Sequence, residues 1–130
     1  MKNLFEVPIL SVTTLTSERA VQVIRSVLRS ECSYAKLNPS ALTISSRLTV
    51  ADGGIDAEVS TDSGHPVPFD CLFRTGLTGF QIKSGTSFKP WTASSIRNEL
   101  LDSRGNLFPE VERLVQRHGR YLVICTGHGE

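Results

Sequence analysis

Asp56, Gln81 and Lys83 are the residues through which this sequence can do chemistry. They lie in two short segments, Ile55-Asp56-Ala57-Glu58-Val59 and Gly79-Phe80-Gln81-Ile82-Lys83-Ser84, in which polar and apolar side chains alternate. A period of two predicts β-strands. In the first, Ile55, Ala57 and Val59 share one face and Asp56 and Glu58 the other. In the second, Phe80, Ile82 and Ser84 oppose Gln81 and Lys83. If the two strands pair, Asp56, Gln81 and Lys83 converge on one side of the sheet. A carboxylate, an amide oxygen and an ammonium group can together hold a hard divalent cation and steady a nucleophilic water. Taken singly, the same residues have a plainer use. Asp52-Gly53-Gly54 suits a tight turn, because Gly accepts positive φ at little cost, and Asp56 and Lys83 suit a solvated sheet face.

The flanking chain supplies elements that would position these strands. Residues 1–15 read as an extended lead-in. Thr16 to about Glu31 predicts a helix, capped by Thr16 or Ser17, with Ala20, Val23, Ile24, Val27 and Leu28 as its buried face. Glu18 falls in its first turn, where a carboxylate favours the helix dipole. Asn38-Pro39-Ser40 marks a turn, and residues 43–50 a strand with Ile44, Leu48 and Val50 apolar. Residues 62–68, with Gly64, Pro66 and Pro68, form a loop. His65 in that loop can approach a substrate but more simply lies at the surface. Asp70 is a weaker competitor for the carboxylate role. Phe88 and Trp91 can stack on a base, although covering the edge of the core is the more economical reading. Helices are predicted over residues 92–102 and 109–118, where Pro109 and Gly119 suit the two ends. The continuous run Tyr121-Leu122-Val123-Ile124-Cys125 suits a strand buried on both faces and joined in parallel.

Composition bounds these readings. The 130 residues suffice for one domain. With 39% hydrophobic and 21% charged residues the chain has the balance of a globular protein. The net charge of +1 carries no global signature of nucleic-acid binding, though a local patch needs none. Cys32, Cys71 and Cys125 form no Cys-x-x-Cys pair and read as buried thiols of a reducing cytoplasm. No apolar run reaches the length of a membrane span, and residues 1–6 lack a signal-peptide core. Walker A, dinucleotide-binding and Gly-x-Ser-x-Gly motifs are absent from the sequence. Because the chain stops directly after its last strand, it reads as the N-terminal domain of a longer protein.

Gly53-Gly54-Ile55-Asp56 followed by Gln81-Ile82-Lys83 resembles the PD-(D/E)xK nuclease signature, in the form of Mrr-like restriction endonucleases, where Gln replaces the acidic residue of (D/E)xK. The resemblance spans most of the chain: a helix, the strands carrying both motifs, then helix and strand. It implies an α/β, restriction-endonuclease-like fold, a central mixed β-sheet flanked by helices with an α-β-β-β-α-β core, in a single domain over residues 1–130. It further implies a metal-dependent endonuclease that hydrolyses DNA phosphodiesters, foremost of double-stranded DNA, as an effector in restriction or antiphage defence. Asp56, Gln81 and the Ile82 backbone carbonyl would hold Mg²⁺ or Mn²⁺. Lys83 would position the attacking water or stabilise charge on the transition state. Gln81 costs the site one negative charge. Glu18 would compensate by completing the metal shell, with Glu58 ranked below it. Since one domain cuts one strand, a homo-oligomer is expected. The alternative is a catalytically inactive relative that serves as a DNA-binding or protein-interaction module.

Overall fold

The strand carrying Gln81 and Lys83 is the middle of the molecule. In a computed structural model, which describes residues 8–44, 55–62 and 64–128, that strand is β3 (Leu77–Lys83), and its side chains are buried on both faces up to Ile82. It pairs antiparallel with β2 (Ala57–Ser60) and parallel with β4 (Arg120–Cys125). A further strand, β1 (Leu42–Ile44), lies antiparallel beyond β2, giving a four-stranded mixed sheet in the order β1-β2-β3-β4. The Asp52-Gly53-Gly54 turn, and all of the strand expected over residues 43–50 except its start, lie outside the described residues.

Helices account for the rest. Ile9–Thr13 forms a short helix, α1, where an extended lead-in was expected. α2 (Ser17–Tyr34) is capped by the Thr16 side chain, which accepts from the Arg19 N–H at 3.3 Å. Its buried residues are Ala20, Val21, Leu28 and Cys32, while Val23 and Val27 are exposed. The buried stripe is therefore rotated from the expected one. Spacings of i+7 and i+11 from Val21 meet the sheet, and valines off that line face water. α2 packs on the sheet face formed by Ala57, Val59, Phe80 and Ile82, with Cys71 and Phe73 completing the core. Parallel strands need a crossover. Here α3 (Ala93–Leu100) and α4 (Pro109–Gln116) provide it.

β4 ends the sheet, so the expectation that it is buried on both faces fails. Its apolar run is spent partly on an edge position, with Leu122 37% exposed. The strand buried on both faces is β3, whose sequence alternates. All three cysteines are free; Cys32 and Cys71 are buried and Cys125 is half-buried.

On the second face of the sheet, α4 comes close enough to β3 to require Gly79. A Cβ there would stand 2.8 Å from Leu114 Cδ1, and Leu114 is itself buried. Gly79→Ala should therefore destabilise the fold by about 1–3 kcal/mol. The same change in a Leu114→Ala background should cost clearly less than the sum of the two single effects. Urea unfolding of the four proteins measures this coupling.

Candidate functional site

Backbone pairing and one side-chain bond bring Asp56 against β3, the strand of Gln81 and Lys83. Ala57 is opposite Phe80 and Glu58 opposite Gly79. One residue further, the Asp56 N–H still donates to the Phe80 carbonyl at 2.8 Å. Asp56 thus lies against β3 just beyond the paired residues, where its side chain meets the Ile82 N–H, between Gln81 and Lys83 in sequence. Across the parallel ladder, Gly79 aligns with Tyr121, Gln81 with Val123 and Lys83 with Cys125, so Tyr121 belongs to the side of Gln81 and Lys83.

Asp56 is held from several directions and is 8% exposed, not the solvated position its sequence suggested. Its Oδ2 accepts from the Ile82 N–H at 2.8 Å. Arg25, from α2, donates Nη2 to the Asp56 carbonyl at 3.2 Å. Burial raises the Asp56 carboxyl above its ordinary range, against the lowering effects of the Ile82 N–H and of the Arg25 and Lys83 cations; Glu99 adds to the rise.

Gln81 is buried as well, and among the described residues its Oε1 has no hydrogen-bond partner. A buried acceptor left without a donor is costly and calls for an explanation. Lys83 ends the row. Its Nζ lies 2.8 Å from Glu99 Oε2 and 5.7 Å from the centre of the Phe88 ring. Glu99 is buried on α3, and its other oxygen, Oε1, accepts from the Tyr121 hydroxyl at 2.9 Å. Burial and the neighbouring Glu99 charge push the Tyr121 phenol far above its usual range, so it stays a donor.

Glu99 and Tyr121 were missed in the sequence. The signal for Glu99 was present: it shares a helix face with Ile96 and Leu100, at i+3 and i+4. A carboxylate on an apolar face needs a buried partner. Tyr121 was hidden within an apolar run.

Other candidates are placed elsewhere. Glu18 is exposed in the first turn of α2, seven residues before Arg25 and so about 10 Å along the helix from the residue that reaches Asp56. The structure does not join it to the cluster. Glu58 is ion-paired with Arg113 of α4. Glu31 accepts from the Leu72 N–H at 2.9 Å, and His65 Nε2 lies 2.8 Å from the Ala35 carbonyl. Both have structural employment. Asp70 is exposed.

Among the described residues, no group of three or more His, Cys, Asp or Glu side chains is arranged to hold a metal ion. The cluster offers a different donor set, made wholly of oxygen: the Asp56 carboxylate, Gln81 Oε1 and the Ile82 carbonyl. The Ile82 N–H points at Asp56, and the carbonyl of the same residue leaves the strand on that side. A desolvated carboxylate and an unmatched amide oxygen both gain from a small hard cation, and such an ion needs few protein ligands because it keeps several waters. By their chemistry these oxygen donors suit Mg²⁺ or Mn²⁺ rather than a softer ion.

The raised Asp56 pKa fixes the sign of a pH effect. The neutral carboxyl favours the folded state, so this contribution is complete below the ordinary carboxylate range and is lost as pH rises through the raised value. Asp56→Asn keeps an acceptor for the Ile82 N–H and cannot ionise. In EDTA at pH 7 it should melt above the wild type, with the gap closing as the pH falls. Mg²⁺ should raise the Tm of the wild type only. Thermal melts across pH, with and without the ion, measure both effects. Comparisons of the chain with protein-family models, with curated proteins and with solved structures give no match.

Proposed function

We propose that this protein is a metal-dependent phosphodiesterase that cleaves DNA, built on a restriction-endonuclease-like sheet. The observation that supports the reading is a buried Asp56 carboxylate held against β3 at the Ile82 N–H, flanked along that strand by Gln81, whose Oε1 has no partner among the described residues, and by Lys83, whose charge acts on Asp56. The element order, with helix α2 ahead of three antiparallel strands and a crossover into parallel β4, agrees with the core that the motif resemblance implies.

Bound Mg²⁺ or Mn²⁺ would supply Lewis acidity toward a phosphate oxygen and make a coordinated water more acidic. The chain's own contributions follow from the contacts described. Asp56, Gln81 and the Ile82 carbonyl would hold the ion. Arg25 and the Ile82 N–H keep Asp56 from swinging away. Lys83 would donate to a non-bridging oxygen or orient the attacking water, and a fixed cation at developing negative charge lowers a barrier most in a site shielded from water. Glu99, braced by Tyr121, keeps the ammonium at its station. The neutral Gln81 leaves Asp56 as the one anionic ligand, and Glu99 supplies a second carboxylate nearby. Restriction or antiphage defence in the cytoplasm, with two copies acting for a double-strand cut, is the biological setting this activity suits.

One observation favours a second reading, an inactive DNA-binding or protein-interaction module: the Lys83 charge is already matched by Glu99. Cleavage of supercoiled plasmid in Mg²⁺ or Mn²⁺ separates the two. The active reading expects nicking that EDTA abolishes and that Lys83→Ala lowers by about 10²–10³-fold. Asp56→Asn, chosen because Asp56 is buried, should fall at least as far. Absence of cutting by the wild type, even when fused to a dimerising partner, together with no Mg²⁺-dependent rise in Tm, would establish the inactive module.

A further inference from the structure

β3 and β4 are parallel, so their carboxyl ends lie together, at the end of the sheet where open α/β folds bind ligands. Lys83 closes β3 there. The chain that follows is tied down along its length. The Thr126 N–H donates to the Lys83 carbonyl at 2.9 Å, extending the parallel ladder. Gly127 packs so tightly against the backbone of Gly85 that no side chain fits. His128 Nε2 lies 2.6 Å from the Phe88 carbonyl. The Lys89 N–H donates to Ser95 Oγ at 3.2 Å, and the Lys89 carbonyl accepts from the Thr92 hydroxyl at 2.8 Å.

On this fixed loop the Trp91 indole meets the His128 ring edge-on, with centroids 5.0 Å apart and planes at 71°. It is nevertheless 68% exposed, so it does not cover the core as its sequence suggested. A large aromatic side chain with few torsions, mounted on a constrained backbone and facing water, suits recognition because little freedom remains to be lost on contact. Its surroundings select the partner. Phe88, whose carbonyl anchors His128, lies under the Lys83 ammonium, and Lys89 is exposed two residues from Trp91. Cations beside an aromatic face complement a strand with anionic phosphates and flat bases.

We propose that Trp91 is a stacking platform for an unpaired nucleobase of the strand whose phosphate lies at Lys83. The inference rests on the phosphodiesterase reading for its substrate and sharpens it. A paired base inside a duplex has no free face to offer, so the favoured substrate is DNA with an unpaired nucleotide beside the cut, as in an overhang, flap or single strand.

Trp91 is the only tryptophan of the chain and reports on itself. The test is a titration in EDTA with a fluorescein-labelled single-stranded oligonucleotide, a duplex with a single-stranded overhang and a blunt duplex. Binding is followed by the label's anisotropy and stacking by indole emission. Emission should be quenched by the single strand and the overhang but not by the blunt duplex. Trp91→Ala should bind the single strand about tenfold more weakly, and Trp91→Phe close to the wild type, with equal melting temperatures. Unmoved emission at saturation, wild-type affinity in Trp91→Ala, or no binding of any strand would overturn the proposal. The two ideas fail separately. Quenching with no cleavage even by the dimerised protein, and with no Mg²⁺-dependent rise in Tm, leaves the stacking site and removes the nuclease; cleavage with unmoved emission does the reverse.

Discussion

A carboxylate withdrawn from water has to be matched by something, and at Asp56 the match is made by backbone. Among the described residues β2 pairs with β3 only as far as Ala57, and beyond it the Ile82 N–H is accepted by the Asp56 side chain. The side chain of Asp56 thus takes over the ladder where the main chain leaves it. That substitution fixes the carboxylate against β3 to within a hydrogen bond's tolerance. Burying charge at this point is unfavourable in isolation. It is partly offset by the Ile82 N–H and by the Arg25 and Lys83 cations, held on α2 and β3, while Glu99 of α3, which pairs with Lys83, works against it.

The face that carries this cluster is polar at one end and apolar at the other. Toward the start of β3, Gly79 lets Leu114 of α4 approach the sheet closely. Toward its end, Lys83 meets Glu99, which also accepts from the hydroxyl of Tyr121 on β4. The division follows the crossover, since Leu114 of α4 meets β3 at Gly79 and Glu99 of α3 meets it at Lys83. α4 packs closely at the start of β3, and α3 supplies the buried carboxylate at its end.

Much of this was legible in the residues. Alternation around Asp56 and along Gly79–Lys83 located both strands and their shared face, since a period of two leaves little freedom about which side chains meet. The helices over residues 93–100 and 109–116 followed from spacing and end signals. What could not be read was burial. Whether Asp56 is solvated depends on α2 and on α3, neither of which announces its packing angle in its own sequence. The α2 stripe was misjudged for the same reason: Val23 and Val27 are as apolar as Val21, and only the position of the sheet decides among them. Local composition likewise exchanged the roles of β3 and β4, because an apolar run is equally compatible with an edge and a centre.

The crossover has a consequence for when the cluster can exist. Lys83 closes β3, Glu99 lies on α3, and Tyr121 arrives on β4, nearly forty residues after Lys83. Antiparallel pairing of β2 with β3 can bring Asp56 against β3 early, through contacts of modest sequence separation. The carboxylate that holds Lys83 is locked only once β4 has docked in parallel, the slowest kind of pairing for a chain to find. During folding Asp56 can therefore reach β3 before Lys83 is fixed. Completion of the sheet and completion of the charged cluster are a single event, so an incompletely folded chain lacks an ordered centre.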